Sequence, residues 1–184
     1  RAAIESGEAG VAITPEAVAE KTRRYVYEGR LSAGQNGSRS AEGKSFREEA
    51  IDLRKRHGGV LEIRSKIPIR DHHILNVLYV PPAALAPARI IRDDPAQVTE
   101  LPSKGNLVAV VTDGSAVLGL GDIGPRAALP VMEGKAVLFH TLAGVEAFPI
   151  CLAARDVDEI VRIVRDIAPS FGGINLEDIS APRC

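Results

Sequence analysis

The most regular alternation of apolar and polar positions lies near the C-terminal end of the chain, in DVDEIVRIVRDIAPSFGG. Asp156 precedes it as a helix N-cap, with Glu159 three residues later. Apolar residues then recur at the three- and four-residue spacing of one helix face, namely Val157, Ile160, Val161, Val164, Ile167 and Ala168. The pattern predicts an amphipathic helix that begins directly after Asp156.

Two further helices are predicted in the first third of the chain. Thr14 as N-cap, Pro15 at the first helical position and Gly29 past the end frame a helix in ITPEAVAEKTRRYVYEG. FREEAIDLRKRHGG predicts a short amphipathic helix that ends at Gly58. Between them, GRLSAGQNGSRSAEGKS is rich in Gly and Ser, a composition typical of a mobile connection. We therefore predict a module boundary near residues 32–45.

Strands are predicted where β-prone residues alternate or form short apolar runs. VLEIRSKIPI alternates like a strand, and NLVAVVTDGSAVLGLG contains two apolar runs on either side of Asp113-Gly114. Because Asp-Gly is a strong two-residue hairpin signal, we expect strands near 107–112 and 115–120. A last short strand in GINLEDISAP ends in two carboxylates. Strands thus alternate with helices in the second half, which indicates the α/β class.

The segment HHILNVLYVPPAALAPARII begins apolar and then meets three prolines. Pro81, Pro82 and Pro87 exclude a continuous helix or central strand beyond Tyr79, because proline lacks a backbone N–H group and fixes φ. Tyr79 is therefore predicted at the point where an apolar segment gives way to a loop.

Composition and charge narrow the class of protein. The 184 residues are 45% apolar and carry a net charge of −1, with Lys and Arg spread along the chain, so nothing indicates a nucleic-acid surface. We expect no apolar run to approach the roughly 20 residues needed to span a bilayer, and RAAIESGEAG lacks the core of a signal peptide. Cys151 and Cys184 fit neither a disulfide framework nor a zinc site. We expect a soluble, cytoplasmic protein with reduced thiols, without nucleic acid or membrane as partner, which leaves a small or anionic ligand to be considered.

The stretch GLGDIG matches the G-x-G-x-x-G pattern of dinucleotide-binding turns through Gly119, Gly121 and Gly124. That fingerprint requires a long helix after the third glycine. Pro125 follows at once, and Pro130 would remove a helical hydrogen bond, so a helix from Gly124 is expected to break within two turns. We therefore expect these glycines to form a tight turn near a ligand. A dinucleotide-binding module built on them remains an alternative.

Four residues are candidates for chemistry. Lys135, in the mostly apolar VMEGKAVLF, either extends its ammonium to solvent or occupies a partly desolvated pocket. Tyr79 is either a core tyrosine or a proton donor. Glu177 and Asp178 are hard oxygen ligands suited to Mg²⁺ or Mn²⁺, but both reach one ion only if the strand ends or bends there; otherwise they form a solvated strand end. Three histidines without zinc spacing are expected at the surface: His57, His72 and His73.

Two long stretches, KGNLVAVVTDGSAVLGLGDIGPRAALPVMEGKAVLF and FGGINLEDISAPRC, resemble the N-terminal catalytic domain of malic enzymes of the smaller bacterial and archaeal type. The resemblance covers roughly residues 46–184. It implies an α/β fold with a layered sheet flanked by helices, preceded here by residues 1–45 as a helical extension and linker. It also implies that the NAD(P)-binding domain of the family lies outside this chain, and we expect the chain to be part of a longer polypeptide.

The same resemblance implies oxidative decarboxylation of (S)-malate to pyruvate and CO₂, with Mg²⁺ or Mn²⁺ and with NAD or NADP bound mainly by the missing domain. It assigns Lys135 as the base for the C2 hydroxyl and Tyr79 as the acid that protonates enolpyruvate. It makes Glu177 and Asp178 two metal ligands, with a third further downstream, and it implies a homodimer.

In the family the tyrosine is usually followed by Thr or Ser, Pro and Gly, whereas Val-Pro-Pro follows Tyr79 here. The alternative is therefore a catalytically silent domain that keeps the fold for dimerisation or metabolite binding. For the isolated chain we expect negligible malate oxidation.

Overall fold

The computed structural model of the protein describes residues 45–184. The helix predicted from Thr14 and nearly all of the predicted boundary lie outside these residues. The helices and strands of the described part are α1 (Phe46–His57), α2 (His72–Tyr79), α3 (Ala86–Asp93), β1 (Leu107–Thr112), α4 (Gly124–Leu138), β2 (Glu146–Cys151), α5 (Val157–Ile167) and β3 (Gly173–Leu176).

The sheet is built around β1, which pairs in parallel with β2 on one side and with β3 on the other. In the register, Ala109 lies opposite Phe148 of β2 and Ile174 of β3. Parallel neighbours require crossover connections, and α4 and α5 supply them. The α/β class with a small parallel sheet flanked by helices is confirmed. All carboxyl ends of the strands therefore meet at one edge of the sheet.

Both faces of β1 are covered, which explains why its sequence is continuously apolar. On one face Ala109 and Val111 pack with Ile160 of α5 in the hydrophobic core. On the other side, α4 lies against β1 and β2 and buries Ala128, Met132 and Ala136. Burial of this kind is the main stabilising term of the domain, and truncation of a fully buried side chain such as Met132 to Ala costs about 2–5 kcal/mol.

Two predicted helices are confirmed, together with the predicted caps Gly58 and Asp156. Ser45 and Glu48 form a reciprocal capping box at the start of α1, and Gly58 ends the helix in the left-handed conformation at φ +69°. At the start of α5, the Asp156 side chain accepts a hydrogen bond from the backbone N–H of Glu159 at 3.0 Å. The strands predicted at 107–112 and before the two carboxylates are also present, as β1 and β3.

Two predicted strands are wrong. Residues 115–120 form no strand and no hairpin with β1, because β2 and β3 occupy both edges of β1 and leave no edge for an antiparallel partner. Residues 60–69 are irregular and mostly exposed, with Ile63 81% exposed. A strand needs a neighbour for its backbone hydrogen bonds, and this segment has none within the described residues.

The expected break at Pro130 is also wrong, since the 15-residue helix α4 continues through it to Leu138. Proline removes one helical hydrogen bond, but Ala128 and Met132 on either side of it are buried against the sheet and hold both halves of the helix in place. Arg54 of α1 also donates to the Pro130 carbonyl at 2.9 Å. As a consequence, Lys135 lies on the last turn of a continuous helix.

One stretch in the described part, His72–Asp93, has the length and composition of a membrane-crossing helix, with 22 residues and a mean hydropathy of 1.5. The expectation that no apolar run approaches that length is therefore wrong as far as length and composition are concerned. In the fold, however, the stretch is divided into α2 and α3, with Val80 in an extended conformation after α2. Each helix has eight residues, or about 12 Å, which is less than half of a bilayer core.

Candidate active site

Three loops leave the sheet at the carboxyl ends of the strands, where open parallel sheets bind their ligands. They are residues 113–123 after β1, 152–156 after β2 and 177–183 after β3. Backbone hydrogen bonds join the first loop to the third, with the N–H of Ala116 donating to the carbonyl of Asp178 at 3.0 Å. The N–H of Glu177 also donates to the carbonyl of Val111, at 2.9 Å. The two adjacent carboxylates are thereby attached to the central strand.

Lys135 and Glu177 form an ion pair at this edge, with 2.8 Å between Nζ and Oε1. Their side chains are 34% and 24% exposed, so the ammonium is partly withdrawn from solvent and lies against a carboxylate. The other oxygen of Glu177 accepts a hydrogen bond from the Asn175 amide at 3.0 Å. Both oxygens of this carboxylate are therefore oriented by neighbours on α4 and β3.

Glu177 and Asp178 can reach one ion only if the strand ends or bends at this point. The structure meets this condition, because β3 ends at Leu176 and the chain then turns. Asp178 has φ +52°, a left-handed conformation that is uncommon for a residue other than glycine. Partial burial, followed by the charge of Glu177, raises the pKa of Asp178, while Lys135 acts in the opposite direction. Two adjacent negative charges repel each other, and a bound cation would relieve this repulsion. The pair is therefore a favourable place for a cation.

The donor set fits part of a hard-cation site. Glu177 and Asp178 offer carboxylate oxygens, which Mg²⁺ and Mn²⁺ prefer. No group of three His, Cys, Asp or Glu side chains that could hold a metal occurs among residues 45–184. The described residues thus provide two candidate ligands and leave the remaining positions to water, substrate or other parts of the protein.

Tyr79 is not joined to this cluster. It is the last residue of α2, as the proline pattern predicts, and it is 79% exposed. It shares no hydrogen bond with Lys135, Glu177 or Asp178, and α2 packs mainly against the short turn Ala83–Leu85. The interpretation as a core tyrosine is therefore wrong, and its assignment as a proton donor stays a prediction.

The glycine motif forms a turn with positive φ at all three positions, Gly119, Gly121 and Gly124. The N–H of Val117 pairs with the carbonyl of Gly121, which closes a small loop at the tip. A dinucleotide fingerprint places its first glycine directly after the strand, whereas Gly119 lies seven residues beyond the end of β1. The geometry favours the expected tight turn over the dinucleotide-binding alternative.

Sequence reasoning missed two ion pairs at this edge. Asp113, interpreted as a hairpin residue, is completely buried and accepts a 2.7 Å ion-pair contact from Arg183. Arg155 pairs through both of its terminal nitrogens with Asp122 of the glycine turn, at 2.8 and 2.9 Å. This pairing lowers the pKa of the Asp122 carboxyl. An aspartate directly after an all-apolar strand was the available signal for the first pair.

Other candidates lie elsewhere or have simple roles. An open pocket of about 1000 Å³ lies at the amino ends of β1 and β2, so it is separate from the carboxylates. Both cysteines are free thiols, as expected; Cys151 is half-buried, which raises its pKa, and Cys184 is exposed. The three histidines expected at the surface are exposed.

Comparisons with known proteins agree on one family. Residues 60–184 match the family model of the malic enzyme N-terminal domain. The chain is 56% identical over 140 residues to a bifunctional malic/malolactic enzyme of Bacillus subtilis, covering 76% of this chain and 34% of that protein. It is 59% identical over 127 residues to an NAD-dependent malic enzyme of Geobacillus stearothermophilus, covering 69% and 26%.

The fold agrees with the crystal structure of a malic enzyme from Pyrococcus horikoshii, with a TM-score of 0.73 and 48% identity over 76% of this chain and 33% of that one. The chain thus spans about a third or less of the length of these proteins. The family model covers more than half of the chain, and the sequence and fold comparisons lead to the same conclusion: the chain belongs to the malic enzyme family, whose N-terminal domain it matches.

Proposed function

We propose that this chain supplies the catalytic domain for the oxidative decarboxylation of (S)-malate to pyruvate and CO₂, with NAD or NADP and a divalent metal ion. The observation that carries the proposal is the ion pair between Lys135 and Glu177 beside Asp178, at the carboxyl edge of a parallel sheet. Relatives named as NAD-dependent and as NADP-dependent enzymes both occur among the matches, which leaves either cofactor open.

Glu177 and Asp178 are the residues that would hold Mg²⁺ or Mn²⁺. The turn after Leu176 directs the chain so that adjacent residues need not alternate across a strand. A bound divalent ion would supply Lewis-acid stabilisation of the negative charge that develops as CO₂ leaves. The protein holds the two carboxylates in place through their backbone. The N–H of Glu177 donates to the carbonyl of Val111, and the carbonyl of Asp178 accepts from the N–H of Ala116.

Lys135 is proposed as the base that accepts the C2 hydroxyl proton. A general base must lie within reach of the proton that it accepts. The Lys135 ammonium lies 2.8 Å from the Glu177 carboxylate, so the proposed base is directly beside one of the two candidate metal ligands.

Tyr79 is proposed as the acid that protonates enolpyruvate. Its position at the end of α2 leaves the phenol exposed to partners from outside residues 45–184. For this role, its hydroxyl must approach the Lys135 cluster in the complete enzyme. A homodimer and a cytoplasmic location likewise stay predictions.

The test is Lys135→Met in the full-length protein, assayed by malate-dependent reduction of NAD and NADP with Mn²⁺. Loss of a general base lowers kcat about 10²–10⁴-fold. The matched control is Lys55→Met on the exposed face of α1, which is expected to retain wild-type kcat. Retention of wild-type kcat by Lys135→Met would contradict the assignment.

The second candidate is a catalytically silent domain that serves dimerisation or metabolite binding. The high exposure of Tyr79 and the Val-Pro-Pro that follows it favour this alternative. It predicts that the full-length protein reduces neither cofactor with malate, and that Lys135→Met changes nothing. The 184-residue chain alone is expected to have negligible activity under either candidate.

A further inference from the structure

A completely buried carboxylate, Asp113, lies directly after β1 and is surrounded by donors. Arg183 approaches one oxygen at 2.7 Å, and both the N–H and the hydroxyl of Ser115 donate to the other, at 3.0 and 2.5 Å. A buried charge is tolerated only when it is paired and hydrogen-bonded, and Asp113 satisfies both conditions. This site has no part in the proposed chemistry.

The partners of Asp113 come from two different loops. Arg183 belongs to the loop that follows Glu177 and Asp178, whereas Ser115 belongs to the loop after β1. The hydroxyl of Ser115 also accepts a hydrogen bond from the backbone N–H of Ser180 at 2.9 Å. Beyond Asp178, the loop that carries the two carboxylates is therefore fastened to the loop after β1.

All three guanidinium nitrogens of Arg183 donate hydrogen bonds, and their acceptors lie in all three loops. Its Nη1 donates to Asp113 and to the Arg155 carbonyl, at 2.7 and 2.8 Å, and its Nε and Nη2 both donate to the hydroxyl of Ser180. A cation engaged in this way has little capacity to bind a substrate carboxylate. Arg183 therefore serves to connect the three loops at this edge of the sheet to one another.

From these contacts we propose that Arg183, through its ion pair with Asp113 and its hydrogen bonds to Ser180, is a positioning residue for Glu177 and Asp178. The inference rests on the proposed function, in which these carboxylates hold a divalent cation. The loop is bound on both sides of Asp178. Before it, the N–H of Glu177 donates to the carbonyl of Val111, and Arg183 anchors the segment five residues after it. Loosening the anchor allows the carboxylates to move, which weakens metal binding without removing a ligand.

The experiment measures Mn²⁺ binding by the full-length protein without malate or nucleotide, using the electron paramagnetic resonance signal of free Mn²⁺. Arg183→Lys keeps the charge but cannot reproduce the planar fork, and we expect the Kd for Mn²⁺ to rise about 10–100-fold, as for other residues that orient metal ligands. Ser180→Ala removes one hydroxyl and leaves the ion pair, so a smaller rise is expected. Saturating Mn²⁺ should restore the kcat of both variants.

The matched control is Arg155→Lys, the same exchange in the neighbouring loop, where the guanidinium pairs with Asp122 and only the carbonyl contacts Arg183. Its Kd for Mn²⁺ should stay within about twofold of wild type, since its side chain is not part of the fastening. A rise equal to that of Arg183→Lys would overturn the proposal. If Arg183→Lys fails to fold by circular dichroism, Ser180→Ala decides.

The remaining outcomes separate the inference from the proposed function. If wild type binds Mn²⁺, Glu177→Gln weakens that binding, and Arg183→Lys and Ser180→Ala retain wild-type Kd, only the positioning role is overturned. If Glu177→Gln leaves Mn²⁺ binding unchanged, the carboxylate site is wrong and both proposals fall.

Discussion

Substitution of Gly114 by alanine tests the close packing between the loop after β1 and the start of α4. A Cβ at this position would lie 2.3 Å from the carbonyl oxygen of Gly124, 2.5 Å from its carbonyl carbon and 3.1 Å from the Cβ of Ala128. The first two neighbours are backbone atoms, so they move only if the start of the helix moves. Gly114 also has φ +67°, a conformation unfavourable for alanine.

The cost of Gly114→Ala follows from these two terms. The left-handed conformation costs about 1–2 kcal/mol, and forcing a methyl group into a packed contact costs about 1–3 kcal/mol more. A total loss of about 2–4 kcal/mol in the free energy of unfolding is expected, because alanine also restricts the unfolded chain and recovers part of the cost. The carbonyl of Gly114 accepts from the N–H groups of Ile123 and Gly124, so the first turn of α4 should be perturbed as well.

Gly119→Ala provides the matched control. Gly119 also has a positive φ, +78°, but an added Cβ would meet nothing within 4 Å. It should therefore lose only the conformational term, about 1 kcal/mol. Urea unfolding monitored by circular dichroism gives both free energies. If Gly114→Ala loses no more stability than Gly119→Ala, the packing argument is refuted.

Two other contacts lead to predictions at separate places in the fold. Lys104 donates through its ammonium to the carbonyls of Ala168 and Phe171 after α5, so Lys104→Met should lower the free energy of unfolding by about 1–3 kcal/mol. An unchanged urea midpoint would contradict this. The lowered pKa of Asp122 means that its pair with Arg155 stabilises the fold at neutral pH, and this contribution is lost as pH falls through that lowered pKa. In Arg155→Met, a carboxyl NMR titration should show a higher Asp122 midpoint than in the unsubstituted protein, and equal midpoints in the two proteins would disprove the assignment.

Caps and apolar periodicity correctly predicted the helices and strands that are specified by residues close together in the sequence. The helix after Asp156 combines a capping side chain with a regular apolar face. Such a face packs against any hydrophobic core, so the helix is predicted without knowledge of its neighbours. The continuous apolar run of β1 likewise indicates a strand buried on both faces. These predictions depend on interactions between residues only a few positions apart.

The failed predictions concern residues whose state depends on distant partners. The apolar run at 115–120 resembles a strand, but both edges of β1 are already occupied. The pattern at 60–69 alternates correctly, yet the described residues offer it no sheet edge. Pro130 lies inside a helix because burial on both sides of it outweighs one missing hydrogen bond. In each case a long-range contact overrides a local preference.

The candidate site divides in the same way. Resemblance to malic enzymes assigned roles to Lys135, Glu177 and Asp178, and the residue types alone suited a base and two cation ligands. Only the folded chain brings Lys135, 42 positions before Glu177, to 2.8 Å from its carboxylate. Tyr79 received a role by the same resemblance, but within the described residues no hydrogen bond joins it to the others.

By itself the sequence determined the class, the principal helices and strands, and the residues with chemistry to offer, because these follow from hydrophobic periodicity, capping and side-chain type. The tertiary structure alone decided which strand edges were taken, that α4 continues through Pro130, and that Asp113 and Arg183 meet in the interior 70 residues apart. Nothing near Asp113 in the sequence specifies its partner. A buried charge is paired by whatever the packing of the three loops brings to it, and that packing is a property of the whole fold.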